Sequence, residues 1–183
     1  MNGTIWITSD THFNHDKDFI WKPRGFTNIN DMNEAIIEKW NATVKDEDIV
    51  YHLGDVMMGA DLEAGLRLVQ KLKGQKYLAF GNHDTDARMK AFAANHFFKE
   101  IQMGYRLKLK KTTFVATHYP TITANGNDNR VLGLYGHTHQ QTNFFSDEAG
   151  IRTYMYHVGV DSHDCTPVNL EELVAEIKSL GKE

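Results

Sequence analysis

Apolar positions along the chain form short β-like runs that alternate with longer helical periods. The opening run Thr4-Ile5-Trp6-Ile7-Thr8 is rich in β-branched residues and reads as a buried strand. A polar stretch over residues 10–30, carrying Pro23 and Gly25, reads as loop. Asp31 and Glu34 have the spacing of a capping box, and Ile36, Ile37 and Trp40 continue at helical spacing. Residues 48–53 predict a strand and 61–73 a helix stopped by Gly74; 77–80 predict a strand and 84–94 a helix. Beyond residue 100 the texture changes. Tyr105-Arg106-Leu107-Lys108-Leu109-Lys110 alternates with a period of two, and residues 112–117 offer it a hairpin partner. Residues 131–135 and 151–160 read as strands, and Asn169 with Glu172 caps a closing helix over 170–180. The order is βαβαβα, then mostly β with a final helix. Two packed sheets with helices outside would satisfy both halves, although the alternation alone establishes only mixed α and β.

Composition leaves that picture unchanged. A chain of 183 residues, 41% apolar and 24% charged, suits one domain over 1–183 with a sizeable core. A net charge of −4, with charges scattered, disfavours bulk nucleic acid or an anionic membrane as partner. A small phosphorylated ligand stays compatible, because bound cations would add positive charge. The single cysteine, Cys165, excludes an intrachain disulfide and points to a reducing, cytoplasmic setting. The absence of a leader-like start or a membrane-length apolar run points the same way. Ten histidines against three prolines do change the picture, since histidine is the commonest metal ligand and a ready general acid or base.

Those histidines gather with carboxylates just after the predicted strands. The places are Asp10-Thr11-His12, Gly54-Asp55, Gly81-Asn82-His83-Asp84, Thr117-His118 and Gly136-His137-Thr138-His139. Ligands bind at the carboxyl ends of strands in α/β sheets, so these distant residues can converge on one spot. Aspartate and histidine at i and i+2 straddle a turn and can face one ion. Two cations roughly 3.5–4 Å apart would use the whole inventory if one carboxylate bridged them. Nitrogen and oxygen donors without thiolate favour Mn, Fe, Zn or Co, and two such ions per chain, with Mn preferred, are the expected cofactors. From the chain's own residue frequencies, a G-N-H-D together with a G-H-x-H has odds on the order of 10⁻⁴.

In that order, D-x-H, G-D, G-N-H-D, a lone H and G-H-x-H resemble the calcineurin-like metallophosphoesterase superfamily. The string Asp10-Thr11-His12-Phe13-Asn14-His15 is similar to a small bacterial and phage-type branch of it. The resemblance implies an αββα sandwich of two packed mixed sheets flanked by helices. It implies Asp10, His12 and His139 on one metal, Asp55 bridging, and Asn82, His118 and His137 on the other. His83 would protonate the leaving oxygen, and Asp84 beside it would orient that imidazole.

Other residues carry weaker signals. Asn14 and His15 lie near enough to His12 to touch a substrate phosphate, or they simply hold the loop. Arg24, between Trp21 and Phe26, suits a nucleotide clamp or, more simply, a loop arginine pinned by two aromatics. Arg130 could approach from the other side. His52 reads as a core histidine, His96, His157 and His163 as structural or exposed, and Met57-Met58 as packing.

Between Asp55 and Asn82 there is room for one helix and one strand, and between His118 and His137 for a short loop and a strand. No cap domain fits, so the site is expected to be open, with specificity in loops 13–30 and 119–130. The expected substrate is a small, nucleotide-like phosphate ester, a diester or a monoester, with the open site tilting the reading toward the diester. Two alternatives stand beside it: a metal-binding scaffold without catalysis, and a nuclease acting on nucleic acid ends. The presence of His83 argues against the first, and the acidic balance against the second.

Overall fold

Parallel strands need crossover connections, and the first half of the chain supplies helices for them. The computed structural model describes residues 3–123, 131–147 and 150–180. Its first half runs β1 (Ile5–Thr8), α1 (Asp18–Trp21), α2 (Ile29–Thr43), β2 (Ile49–His52), α3 (Leu62–Val69), β3 (Gln75–Ala79), α4 (Asp86–Ala94) and β4 (Glu100–Gln102). The second half runs β5 (Gly104–Leu109), β6 (Thr112–Thr117), β7 (Val131–Tyr135), β8 (Phe144–Asp147) and β9 (Gly150–His157). A 3-10 turn (Val160–Ser162), β10 (Val168–Asn169) and α5 (Leu170–Leu180) close the chain.

Two mixed sheets result. The first has the order β10-β1-β2-β3-β4, parallel except for the antiparallel edge strand β10. The second has the order β5-β6-β7-β9-β8, with parallel pairs inside and an antiparallel pair at each edge. Side chains alternate across each strand and so divide the apolar residues between two cores. Val50 and Leu78 pack with Met32, Ile36 and Trp40 of α2, Leu66 and Val69 of α3, and Phe92 of α4. Ile7, Leu53 and Ala79 face the other way, onto Phe114, Ala116, Leu132 and Leu134 of the second sheet. Helix α5 joins this second core through Leu170, Leu173, Val174 and Ile177, and touches β1, β10 and β9. The α2 stripe repeats every fourth residue, and its three side chains are fully buried. Each such burial is worth about 1.5–3 kcal/mol. The architecture is the expected pair of mixed sheets flanked by helices.

Several boundaries differ from the sequence reading. Asp31 is not the cap of α2; Asn28 is, its Oδ1 accepting the Asp31 N–H at 3.0 Å while the Asp31 carboxylate accepts from Asn28 Nδ2 at 2.8 Å. Helix α3 is capped by Asp61 and ends at Val69 instead of residue 73. Helix α4 starts at Asp86, capped by Thr85, because Asp84 is engaged elsewhere. The loop over 10–30 contains the single turn α1, and β4 and β8 are additional edge strands. Arg130 and residues 125–129 lie outside the described residues.

Candidate metal centre

The motif residues stand just past the ends of β1, β2, β3, β6 and β7. Reaching a common point from those ends forces unusual backbone. Asp10, His12, Asp55, His137 and His139 have φ of 59°, 48°, 55°, 68° and 49°, in the left-handed region. Each costs a non-glycine residue about 1–2 kcal/mol. Such strain persists only where the surroundings fix it, and it collects at functional sites. Here the loops hold one another: Asp10 N–H donates to Gly54 O, His12 N–H to Asp55 O and Gly136 N–H to His118 O, all at 3.0 Å.

Two motif glycines permit this proximity. Gly54 has φ 93°, and a Cβ there would lie 2.5 Å from Gly81 N and 2.8 Å from His118 Nδ1. A Cβ on Gly136 would fall onto Asp10 Oδ2 and Ser9 Oγ.

Each carboxylate has one oxygen anchored and one aimed inward. Asp10 Oδ2 accepts the His137 N–H at 2.9 Å, while Oδ1 lies 3.7 Å from His12 Nε2 and 3.9 Å from His139 Nε2. Asp55 Oδ1 accepts the His83 N–H at 2.8 Å, while Oδ2 lies 3.6 Å from His12 Nε2 and 3.4 Å from His118 Nε2. Donor atoms of Asp10, His12 and His139 lie within 4.8 Å of one another, as do those of Asp55, His118 and His137. Either trio could hold a cation.

Satisfied polar groups would not need one, so their hydrogen bonding decides whether a cation fits. Asp10 Oδ1 and His12 Nε2 are buried and have no hydrogen-bond partner among the described residues, an expensive arrangement for such groups. His118 Nδ1 lies 2.8 Å from Leu53 O, so that nitrogen donates and Nε2 presents its lone pair. Nε2 in turn faces Asn82 Oδ1 at 2.9 Å, acceptor to acceptor, which a cation between them or a turned amide would relieve. The donor set fits divalent metal.

The charges agree. Burial alone would raise the Asp10 carboxyl, but the imidazoles of His12, His139 and His118 hold it well below the usual range. Burial pushes His12 down despite Asp10, which favours the neutral ring a metal needs. Burial, with His12 and His83 nearby, lowers His15 to about 4.

A carboxylate absent from the sequence reading completes the first trio. Asp161 Oδ2 accepts from His139 Nδ1 at 3.1 Å, which fixes the tautomer and turns Nε2 toward Asp10. Asp161 also binds Arg24 through two contacts of 2.9 and 3.1 Å. The remaining Arg24 donors go to Asp10 O at 2.8 Å and Thr11 O at 3.3 Å. With its side chain 1% exposed, Arg24 is an internal strut and has no donor to offer a nucleotide.

Other expected contacts are also engaged internally. Asn14 pairs with Asn33 of α2, its N–H and Oδ1 in bonds of 3.1 and 2.8 Å. The Asp84 carboxylate accepts the backbone N–H groups of Asp55, Gly81 and Val56 at 2.7, 2.9 and 3.0 Å. It therefore ties two motif loops together, where the sequence reading had it orient the His83 ring. Burial raises its carboxyl to about 6 against those N–H groups. His52 is buried against Thr11, with Nε2 3.0 Å from its hydroxyl.

A cleft of about 260 Å³ opens over the trios, lined by His12, His15, Phe19, Asp55, Asn82, His83, His137 and His139. The His83 ring stands edge-on to His12 at 5.5 Å and to His15 at 6.0 Å. A larger groove of about 600 Å³, lined by Trp6, Tyr156 and Glu172 among others, holds none of the motif residues.

This is the arrangement of a binuclear metal site on a two-sheet sandwich. Residues 3–176 match the calcineurin-like phosphoesterase family, and the chain belongs to it. It is 27% identical to the Gene 66 protein of Mycobacterium phage D29, over 95% of this chain and 97% of that one. A stretch of 81 residues is 41% identical to an uncharacterized protein of Methanocaldococcus jannaschii, covering 44% of this chain and 46% of that one. The chain thus spans less than half the length of that relative. Among solved structures, a protein of unknown function from Aquifex aeolicus is similar with a TM-score of 0.71 and 25% identity, over 96% of this chain and all of that one. The phosphoesterase Yfce from E. coli shares the fold with a TM-score of 0.51 and 20% identity, over 91% of this chain and 82% of that one.

Proposed function

We propose that the chain is a metal-dependent phosphoesterase that hydrolyses a small, nucleotide-like phosphodiester at a site holding two divalent cations. One observation carries the reading. Asp55 Oδ2 lies between His12 of the first trio and His118 of the second, at 3.6 and 3.4 Å, where a shared ligand belongs. Asp10, His12 and His139 would hold one ion; Asn82, His118 and His137 the other. Divalent cations bound there would acidify a water and offset charge on the phosphate.

The chain's own groups supply the rest. His83, anchored through its N–H on Asp55 and its carbonyl on Arg88 Nη1 at 2.6 Å, would give a ring proton to the leaving oxygen. With His12 Nε2 facing the carboxylates, its Nδ1–H donates to His15 Nδ1 at 3.2 Å. That leaves His15 Nε2–H free to bind a phosphate oxygen. Asp84, Asn14 and Arg24 position the loops.

Manganese is the metal we favour among Mn, Fe, Zn and Co, all of which the nitrogen and oxygen donor set admits. We also assign the chain to the branch carrying the Asp10–His15 string and read 1–183 as one uncapped, cytoplasmic domain. The end-to-end likeness to the phage protein supports the branch. Among the described residues, no helix is long and apolar enough to cross a membrane.

Chromogenic phosphomonoesters and diesters, assayed with Mn²⁺ and then with chelator, test the reading. Turnover should need metal, favour the diester, and fall about 10²–10⁴-fold in kcat for His83→Ala. No turnover with any divalent metal would leave the scaffold reading standing. Preference for nucleic acid ends over small diesters would favour the nuclease.

A further inference from the structure

Single apolar side chains in water are ordinary on a protein surface, but two exposed aromatics here stand beside the metal centre. Phe19 of α1 is 69% exposed and lines the cleft, its ring edge-on to His15 at 5.7 Å. His15 lies in turn 5.1 Å from His12 of the first trio. Tyr119, just past β6, is 50% exposed and lies edge-on to His137 at 4.6 Å and to His118 at 5.0 Å, both of the second trio. One aromatic therefore comes from the loop after the first sheet's β1 and the other from the second sheet, each beside a different trio.

We infer that Phe19 and Tyr119 are two stacking platforms, and that the substrate is a phosphodiester bearing a planar group on both ester arms. The inference rests on the phosphodiesterase reading and refines its substrate. A diester has a leaving arm and a retained arm, and a phosphate held between the two trios would send one arm toward each. Phe19 shares the cleft with His83, the proton donor to the leaving oxygen, so Phe19 stacks the leaving arm. Tyr119, on the other trio, stacks the retained arm. An aromatic face binds any base or aryl ring, which gives preference for planar arms without base selectivity. Among the described residues neither ring belongs to a core cluster, so removing either leaves those cores intact.

Two substrates with one leaving group separate the platforms: bis(4-nitrophenyl) phosphate, with two planar arms, and methyl 4-nitrophenyl phosphate, with one. Phe19→Ala should raise KM for both, about tenfold, and leave their KM ratio where it stands in the unaltered enzyme. Tyr119→Ala should shift that ratio about tenfold against the bis-aryl substrate. In both variants kcat should move far less than KM, and thermal melting should confirm folding. Hydrolysis by the unaltered enzyme with a KM that Phe19→Ala does not raise, or a KM ratio that Tyr119→Ala does not move, would overturn the platforms and leave the phosphodiesterase reading intact. A shifted ratio in Phe19→Ala would overturn the assignment of arms. Failure of the unaltered enzyme to hydrolyse either diester would instead strike the reading on which the inference rests.

Discussion

Asp161→Asn isolates the contribution of the buried strut behind the first trio. The native carboxylate, 4% exposed, holds the Arg24 guanidinium at 2.9 and 3.1 Å and His139 Nδ1 at 3.1 Å. The amide keeps the shape and removes the charge. Arg24 then remains a buried cation with neutral acceptors alone, the amide oxygen at position 161 and the carbonyls of Asp10 and Thr11, the latter at 2.8 and 3.3 Å. Breaking a buried pair from one side costs about 3–5 kcal/mol, and those two carbonyls place this case near 3 kcal/mol. Domains unfold with about 5–15 kcal/mol in total, so the loss is large. At about 2–4 °C per kcal/mol for a chain of this size, melting should fall by about 6–12 °C. Urea unfolding in chelator reads the strut without any metal contribution. Arg24→Met combined with Asp161→Asn should recover part of the loss, a coupling of about 1–3 kcal/mol. A loss below about 1 kcal/mol, or strict additivity in the double variant, would show that Asp161 and Arg24 are not a coupled buried pair.

Two further outcomes follow from particular contacts. Gly136→Ala puts a Cβ onto Asp10 Oδ2 and Ser9 Oγ; it should cost about 1–3 kcal/mol and abolish metal-induced stabilisation, read by melting with and without Mn²⁺. Asp48 accepts the N–H groups of Thr4 and Lys45 and the Trp6 indole at 2.8, 2.9 and 3.0 Å. Burial would raise its carboxyl, but these bonds hold it below the ordinary value. Its contribution is therefore complete above the unfolded pKa of about 3.9 and lost as pH falls through the lower folded value. Asp48→Asn should cost about 1–3 kcal/mol at neutral pH and flatten that acid limb, measured as unfolding midpoints against pH.

Where one sequence signal dominates, the residues were readable. Strands 112–117 and 131–135 match β6 and β7, since alternation and apolar runs bounded by turns have little competition there. The trios were readable because each motif packs several polar residues into a few positions. The start of α2 was misplaced because Asn28 and Asp31 both carry cap chemistry, and only the fold selects between them. β4 has three residues, and β8 opens on Phe144-Phe145, so neither gives a clear period. Arg24 and Asp161 stand 137 residues apart, and a lone aspartate between Val160 and Ser162 has no signature of its own. Adjacency in sequence pairs Asp84 with His83, whereas in the fold its carboxylate faces the backbone of two loops.

Anomalous diffraction from Mn²⁺-loaded crystals would locate the paired cations independently of turnover. Two peaks are expected, one among Asp10, His12 and His139 and one among Asp55, His118 and His137, with Asp55 touching both. A single peak, or peaks away from these side chains, would contradict the binuclear site.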